Sequence, residues 1–335
     1  MSTRLAILCP VWVGRVWVGP VLVAAVLAAT AGCQESNQRA SAPVATEKAS
    51  ISSGATPAPG PAAPEPECNP RASLRPSGPL PAPGQMPAGS AMARITQRGF
   101  LIAGVNRDAN PFAVRNSELK WEGFDIDVVR DIAQAIFGDR EKVQFRPLNV
   151  ADRVTAAMSG DVDVVVSTIT VTCKRRQDAE FSVVYFEAGQ RVLVNRGSGI
   201  DGMDKLGGKR VCAARGTTAL EHIQTYSSKP IPVAVSATTD CLALLQIGEV
   251  DAVSTDDALL AGMAVQDPQT ELVGARFSEE PYGVAINRLN PDLARFVNAV
   301  LERRTQDGRW QASYQRWLAN ILGLLPPSPK PQYRD

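Results

Sequence analysis

At 335 residues, 44% hydrophobic and 21% charged, the chain has the length for two ordinary domains and a globular composition, which excludes a wholly disordered protein. Lys and Arg number 35 against 34 Asp and Glu, so there is no basic excess to neutralise a nucleic-acid backbone, and no nucleic-acid partner is expected. With one histidine, His222, a His-ligated metal site or a Ser-His-Asp hydrolase is hard to build.

Arg4 and Arg15 precede an uncharged apolar run over residues 16–31. It is shorter than the roughly 20 residues of a membrane span and suits the apolar core of a secretory signal. The run ends Thr30-Ala31-Gly32-Cys33, which resembles the cleavage and acylation site of a bacterial lipoprotein signal, with Thr30 where Leu is more usual. The resemblance implies a signal peptide over 1–32, palmitate-type lipid on Cys33, and a protein held on the extracytoplasmic face of the cell membrane. Residues 33–91 follow as an expected disordered tether. Twelve of the 25 prolines fall between 34 and 90 among Ala, Ser and Gly, and such a stretch cannot bury enough apolar area to fold.

Cys9 leaves with the signal and Cys33 takes lipid, so Cys68, Cys173, Cys212 and Cys241 remain. Four thiols in an exported chain suggest two disulfides, with three possible connectivities. We favour Cys212–Cys241, both within one expected lobe, and Cys68–Cys173, which would staple the end of the tether to the body.

Beyond the tether, strands and helices alternate. Residues 100–105 read as a strand. Phe124–Phe137 reads as a helix, with Phe124, Val128, Val129, Ile132 and Ile136 on one face and a stop at Gly138. Residues 143–145 form a second expected strand. Residues 152–159 form a short helix with Val154, Ala157 and Met158 on one face, stopped by Gly160. Residues 162–166 are a near-continuous apolar run, the pattern of a parallel strand covered on both faces. This order predicts an α/β doubly wound sheet.

An internal echo points to two such sheets. Residues 160–165, Gly-Asp-Val-Asp-Val-Val, are followed by Val166, Ser167 and Thr168; residues 248–253, Gly-Glu-Val-Asp-Ala-Val, are followed by Ser254, Thr255 and Asp256. Each copy places hydroxyl residues at the C-terminal end of a strand, where open α/β sheets bind ligands.

The ordered motifs carry a family resemblance: Gly123-Phe124-Asp125-Ile126-Asp127 opening a helix, then residues 169–172 with Arg175 or Arg176, Phe181-Ser182, Tyr185-Phe186, Arg215-Gly216-Thr217-Thr218, residues 250–256, and Tyr282-Gly283-Val284. The chain resembles the bacterial extracellular solute-binding proteins of the polar-amino-acid class (family 3), most of all the actinobacterial glutamine/glutamate-binding lipoproteins. The resemblance implies a two-lobed fold of the periplasmic-binding-protein type (type II), with two doubly wound lobes joined by two crossovers and the ligand cleft between them. Lobe one would be 92–188 plus 285–325, lobe two 191–281, and 326–335 a Pro-rich tail. Residues 293–301 read as an amphipathic helix, and a second helix carries Trp310, Tyr314 and Trp317, with both tryptophans in the core.

The same resemblance implies the site. Arg175 matches the arginine that takes the ligand's α-carboxylate, and Asp256 the aspartate that takes its α-ammonium. Thr170, and the backbone near Ser167 and Thr168, would add hydrogen bonds. Thr217 and Thr218 fall where the second lobe's N–H groups approach the carboxylate at a helix N-terminus. Asn106, Asn110 and Phe112 would line the side-chain pocket, and Arg153 sits where relatives that bind acidic amino acids carry an arginine for the distal carboxylate. The ligand is then glutamate or aspartate, with glutamine and asparagine open. His222 reads as a helix-surface residue. No catalytic residue, cofactor or metal is expected. The partners would be a free L-amino acid and an ABC permease or a membrane sensor, with the protein a monomer. The competing reading is a cleft enzyme of the same fold, dehydratase-like, acting on a small carboxylate.

Overall fold

The computed structural model describes residues 68–335. The expected signal peptide, Cys33 and residues 34–67 of the expected tether lie outside them.

The apolar strands assemble into two five-stranded sheets. In the first, Leu101–Asn106 runs parallel to Val143–Leu148 on one side and Val164–Val165 on the other; Ala285–Ile286 returns antiparallel and Glu180–Phe181 closes the edge. In the second, Arg210–Ala214 lies parallel to Ile231–Val235 and Ala252–Asp256, and Gln190–Asn195 and Thr270–Val273 follow antiparallel. The strands that carry the internal echo, Val164–Val165 and Ala252–Asp256, take the same third place in their sheets. Helices cover both faces, which is why Val164–Val165 and the start of Ala252–Asp256 are apolar. The chain passes between the lobes through Phe186–Ala188 and Glu280–Tyr282, which pair antiparallel with each other.

The helix Phe124–Phe137 shows how sequence sets local structure. Phe124, Val128, Val129, Ile132 and Ile136 are all 0% exposed on its inner face, and each such side chain contributes roughly 1.5–3 kcal/mol by leaving water. The helix begins at Gly123, with φ +133°, where a Cβ would lie 2.1 Å from the Phe112 carbonyl oxygen, so no other residue fits. It ends at Gly138 in the left-handed region, whose N–H bonds the Gln134 carbonyl. The helix Pro291–Gln306 opens with proline in its first turn, and Arg304 near its end is buried against Asp131. Trp310 is buried, its Nε1 donating to the Tyr185 carbonyl at 2.7 Å.

Among the described residues two disulfides are present, Cys68–Cys173 and Cys212–Cys241. The first accompanies a correction to the expected tether, because residues 68–90 are an ordered arm on lobe one. Ala72–Ser73 pairs in parallel with Gln332–Tyr333 of the proline-rich tail. Ser73 donates to the Phe181 carbonyl and accepts from Asn298, while Leu74, Leu80 and Met86 pack on the core. Arg71 reaches Glu187 and Glu279, so one guanidinium contacts both crossover segments. Composition misled here because polyproline-like chain needs no aliphatic periodicity when its backbone groups and a few apolar side chains find partners on a neighbouring surface.

Candidate functional site

The two sheets present strand ends to one cleft. Asp256, the last residue of Ala252–Asp256, is 6% exposed, and the Tyr282 hydroxyl donates to its Oδ2. Burial and the neighbouring Glu280 carboxylate push its carboxyl up to about 8, more than that hydrogen bond and Arg153 offset. Arg175 lies on the short helix Cys173–Arg176, capped by the Thr172 hydroxyl. Its Nη1 donates to the Thr170 carbonyl at 2.7 Å and its Nη2 crosses to the Gly216 carbonyl of lobe two at 2.9 Å. Burial lowers its pKa, against the opposing fields of Glu221, Glu280 and Asp256.

Arg153 begins its helix and is 4% exposed. Nε donates to the Val150 carbonyl at 2.8 Å, and Nη1 to the Ser167 and Thr168 carbonyls at 2.8 and 3.1 Å. Burial and nearby Arg175 pull its pKa down to about 9, with Asp256 opposing. Arg153, Arg175 and Asp256 therefore share one electrostatic neighbourhood, and among the described residues none of the three makes an ion pair. Ser167 is fully buried and its Oγ has no hydrogen-bond partner among the described residues.

The loop after Val164–Val165 is held in an unusual shape. Thr168 has φ +43°, and its N–H donates to Asp125 Oδ2 at 2.8 Å while the Tyr185 hydroxyl donates to Oδ1. Asp125 is 0% exposed, and burial pushes its carboxyl up to about 7. Thr170 and Thr218 both donate to Glu280 Oε2 at 2.7 Å. Thr217 caps the helix Thr218–Thr225 by accepting from Leu220 N and donates to the Ala214 carbonyl, so its hydroxyl is committed and only backbone remains. The two lobes meet closely around this region. A Cβ on Gly216 would sit 2.9 Å from Ala151 Cα, and one on Gly262 would sit 2.3 Å from the Asn110 oxygen.

Asn106, last in its strand, is 3% exposed, and its Oδ1 accepts from Asp108 N. Asn110 is partly buried and precedes the cis bond to Pro111. Phe112 requires correction. It is 0% exposed and packs edge-on against Phe124, Phe186 and Tyr282, so it belongs to the aromatic core and lines no open wall. His222 is also more than a surface residue, since its Nδ1 lies 2.7 Å from Gln190 Oε1 and 3.6 Å from Glu280. Sequence reasoning missed the roles of Asp125, Tyr185, Tyr282 and Glu280. Three of these sit inside the motifs quoted above, yet only the folded chain shows that they orient the site's loops. Among the described residues no group of three or more His, Cys, Asp or Glu could hold a metal, and no helix is long and apolar enough to cross a membrane.

The sequence profile of the bacterial extracellular solute-binding proteins, family 3, matches residues 101–320. The chain belongs to that family. It is 36% identical over 229 residues to the ABC transporter glutamine-binding protein GlnH of Bacillus subtilis (strain 168), covering 68% of this chain and 84% of that one. It is also 36% identical over 197 residues to the glutamine-binding protein of Geobacillus stearothermophilus, covering 58% and 75%. Among solved structures, the L-cysteine solute receptor of Neisseria gonorrhoeae superposes with a TM-score of 0.67 at 27% identity, covering 70% of this chain and 97% of that one. This member of the family thus has the two-lobed, type II architecture, and the curated relatives are amino-acid-binding components of ABC transport.

Proposed function

We propose that the protein closes on one free polar L-amino acid outside the cytoplasm, preferring glutamate or aspartate over their amides, and passes it to an ABC permease or reports it to a membrane sensor. The observation that carries this reading is a half-buried Arg175 guanidinium and a buried Asp256 carboxyl that share one electrostatic neighbourhood and are not paired with each other. A lone buried charge is costly. A free amino acid supplies the carboxylate and the ammonium that neutralise both, and the unpartnered Ser167 hydroxyl is a ready donor to the ligand. Asn106, Asn110, Thr168, Thr170 and the first-turn N–H groups near Thr217 and Thr218 complete the site in this reading. Family membership among binding proteins supports binding over catalysis. The lipid on Cys33 would keep the monomer at the membrane, and Cys33→Ala is expected to leave the membrane fraction or fail to mature.

The acid preference rests on Arg153. Three backbone carbonyls hold its Nε and Nη1, while Nη2 is unpaired among the described residues and Arg175 adds a second positive charge nearby. A distal carboxylate answers both. An amide ligand is the second reading, favoured by that same commitment of Arg153 to backbone and by the glutamine-binding relatives at 36% identity. Calorimetric titration with the twenty amino acids tests the class. Arg153→Met then separates the two readings, because it should weaken glutamate and aspartate far more than glutamine and asparagine. Equal losses would make Arg153 a structural clasp for the 167–168 loop.

A further inference from the structure

We propose that Glu280 is a positioning residue whose carboxylate latches the two lobes together through Thr170 and Thr218. The ligand's identity rests on the reading above, but the latch is read from contacts that need no ligand.

Glu280 is 0% exposed and opens the crossover strand Glu280–Tyr282. Its Oε2 accepts from Thr170 Oγ1 and from Thr218 Oγ1, each at 2.7 Å, and the two hydroxyl oxygens lie 3.5 Å apart. Oε1 accepts from Ser278 Oγ at 2.6 Å. Among the described residues no Lys or Arg pairs with it, and His222 Nδ1 stands 3.6 Å away. A buried carboxylate without a cation is tolerated only when donors surround it. Here the donors come from different bodies. Thr170 belongs to lobe one and bridges to Tyr282 of the crossover, while Thr218 is the first residue of a lobe-two helix. One carboxylate oxygen thus gathers a hydroxyl from each lobe beside Arg175, which bonds the Thr170 carbonyl.

An opening rotation that separates Thr170 from Thr218 must break at least one of these bonds and leave the carboxylate short of a donor. A hydrogen bond to a charged acceptor corresponds to roughly 10- to 150-fold in an equilibrium. Glu280 therefore favours the closed arrangement by about that factor and holds both threonines in place around the amino-acid site. Glutamine at this position preserves the shape, because its amide oxygen accepts from both threonines while its nitrogen turns to the Ser278 hydroxyl.

The test pairs an interlobe distance with affinity. Spin labels go on cysteines replacing the exposed Leu289 of lobe one and Ile247 of lobe two, and pulsed dipolar spectroscopy reads the distance distribution in the ligand-free protein and with L-glutamate or L-glutamine. Glu280→Leu is expected to lengthen the distances without ligand and to weaken whichever amino acid binds by about 10- to 150-fold. Glu280→Gln is expected to restore most of both, and Ser278→Ala, which removes the donor to Oε1 and an acceptor for Gln190 N but neither threonine bond, to leave the distances unchanged. Wild-type distances in Glu280→Leu, or a Glu280→Gln protein as open as Glu280→Leu, would overturn the latch. If Glu280→Leu fails to fold, judged by near-ultraviolet circular dichroism, Thr218→Val removes one donor and must lengthen the distances by itself. Should the wild type bind neither amino acid, the ligand reading fails while the ligand-free distances still decide the latch.

Discussion

If Asp256 takes the ligand's ammonium as proposed, binding is a proton-coupled event. Burial and the Glu280 carboxylate push its carboxyl up to about 8, with Asp257 adding to the rise and Tyr282 and Arg153 opposing it. At pH 7 about nine-tenths of the sites therefore carry a proton. A ligand ammonium favours the ionised carboxylate, so binding must expel that proton. Affinity should then rise about tenfold per pH unit below 7 and level off above 8, which makes pH 6 roughly 50-fold weaker than pH 8. Calorimetry at pH 6.5 in buffers of different ionisation enthalpy should show about one proton released per ligand. Asp256→Asn should abolish both the release and the slope, and should weaken binding at pH 8 by about 30- to 3,000-fold, because it leaves the ligand's ammonium without a counter-charge. An affinity flat from pH 6 to 8 with no proton release would show that Asp256 is already ionised before the ligand arrives, and would refute the argument.

Arg175→Ala removes the cation from the same site and should cost a similar 30- to 3,000-fold in affinity by calorimetry, with unfolding temperature nearly unchanged. Gly216→Ala should weaken binding by about tenfold or more, because its Cβ meets Ala151 Cα at 2.9 Å and its φ of +74° strains any L side chain; small-angle scattering should show a more open particle. Replacing Cys212 and Cys241 with Ala frees a loop of 29 residues and should lower stability by about 3 kcal/mol in urea unfolding. Asp125, pushed up to about 7, binds a proton more readily folded than unfolded. Its contribution to stability is complete below about pH 4 and is lost as pH rises through 7, so the unliganded unfolding temperature should fall across that window.

The sequence carried the sheets well because their signal is local. Residues 162–166 and 250–253 are mostly apolar stretches between a helix stop and a hydroxyl cluster, and nothing distant is needed to read them. Arg153, Arg175 and Asp256 are named in the sequence by the family resemblance alone, and the fold places the three in one electrostatic neighbourhood. What could not be read was anything decided by partners far along the chain. Phe112 looks like a pocket wall beside Asn110 until Phe186 and Tyr282 close over it from 74 and 170 residues away. Glu280 looks like one acid of a surface pair until Thr170 and Thr218 arrive on it. The arm was misjudged because proline composition reports what a segment cannot do alone and is silent on the surface it lies against.

The disulfide between Cys68 and Cys173 also decides where mechanical load enters the molecule. Any pull transmitted along the chain from upstream reaches Cys68 first and is taken covalently into lobe one at Cys173, bypassing the hydrogen bonds of the arm. Were the chain held from upstream as proposed, lobe one would be the fixed part and lobe two, joined through the crossover segments that Arg71 touches, the part that swings. Reducing this bond would shift the load onto Arg71 and the short pairing of Ala72–Ser73 with Gln332–Tyr333, contacts weak enough to peel one after another.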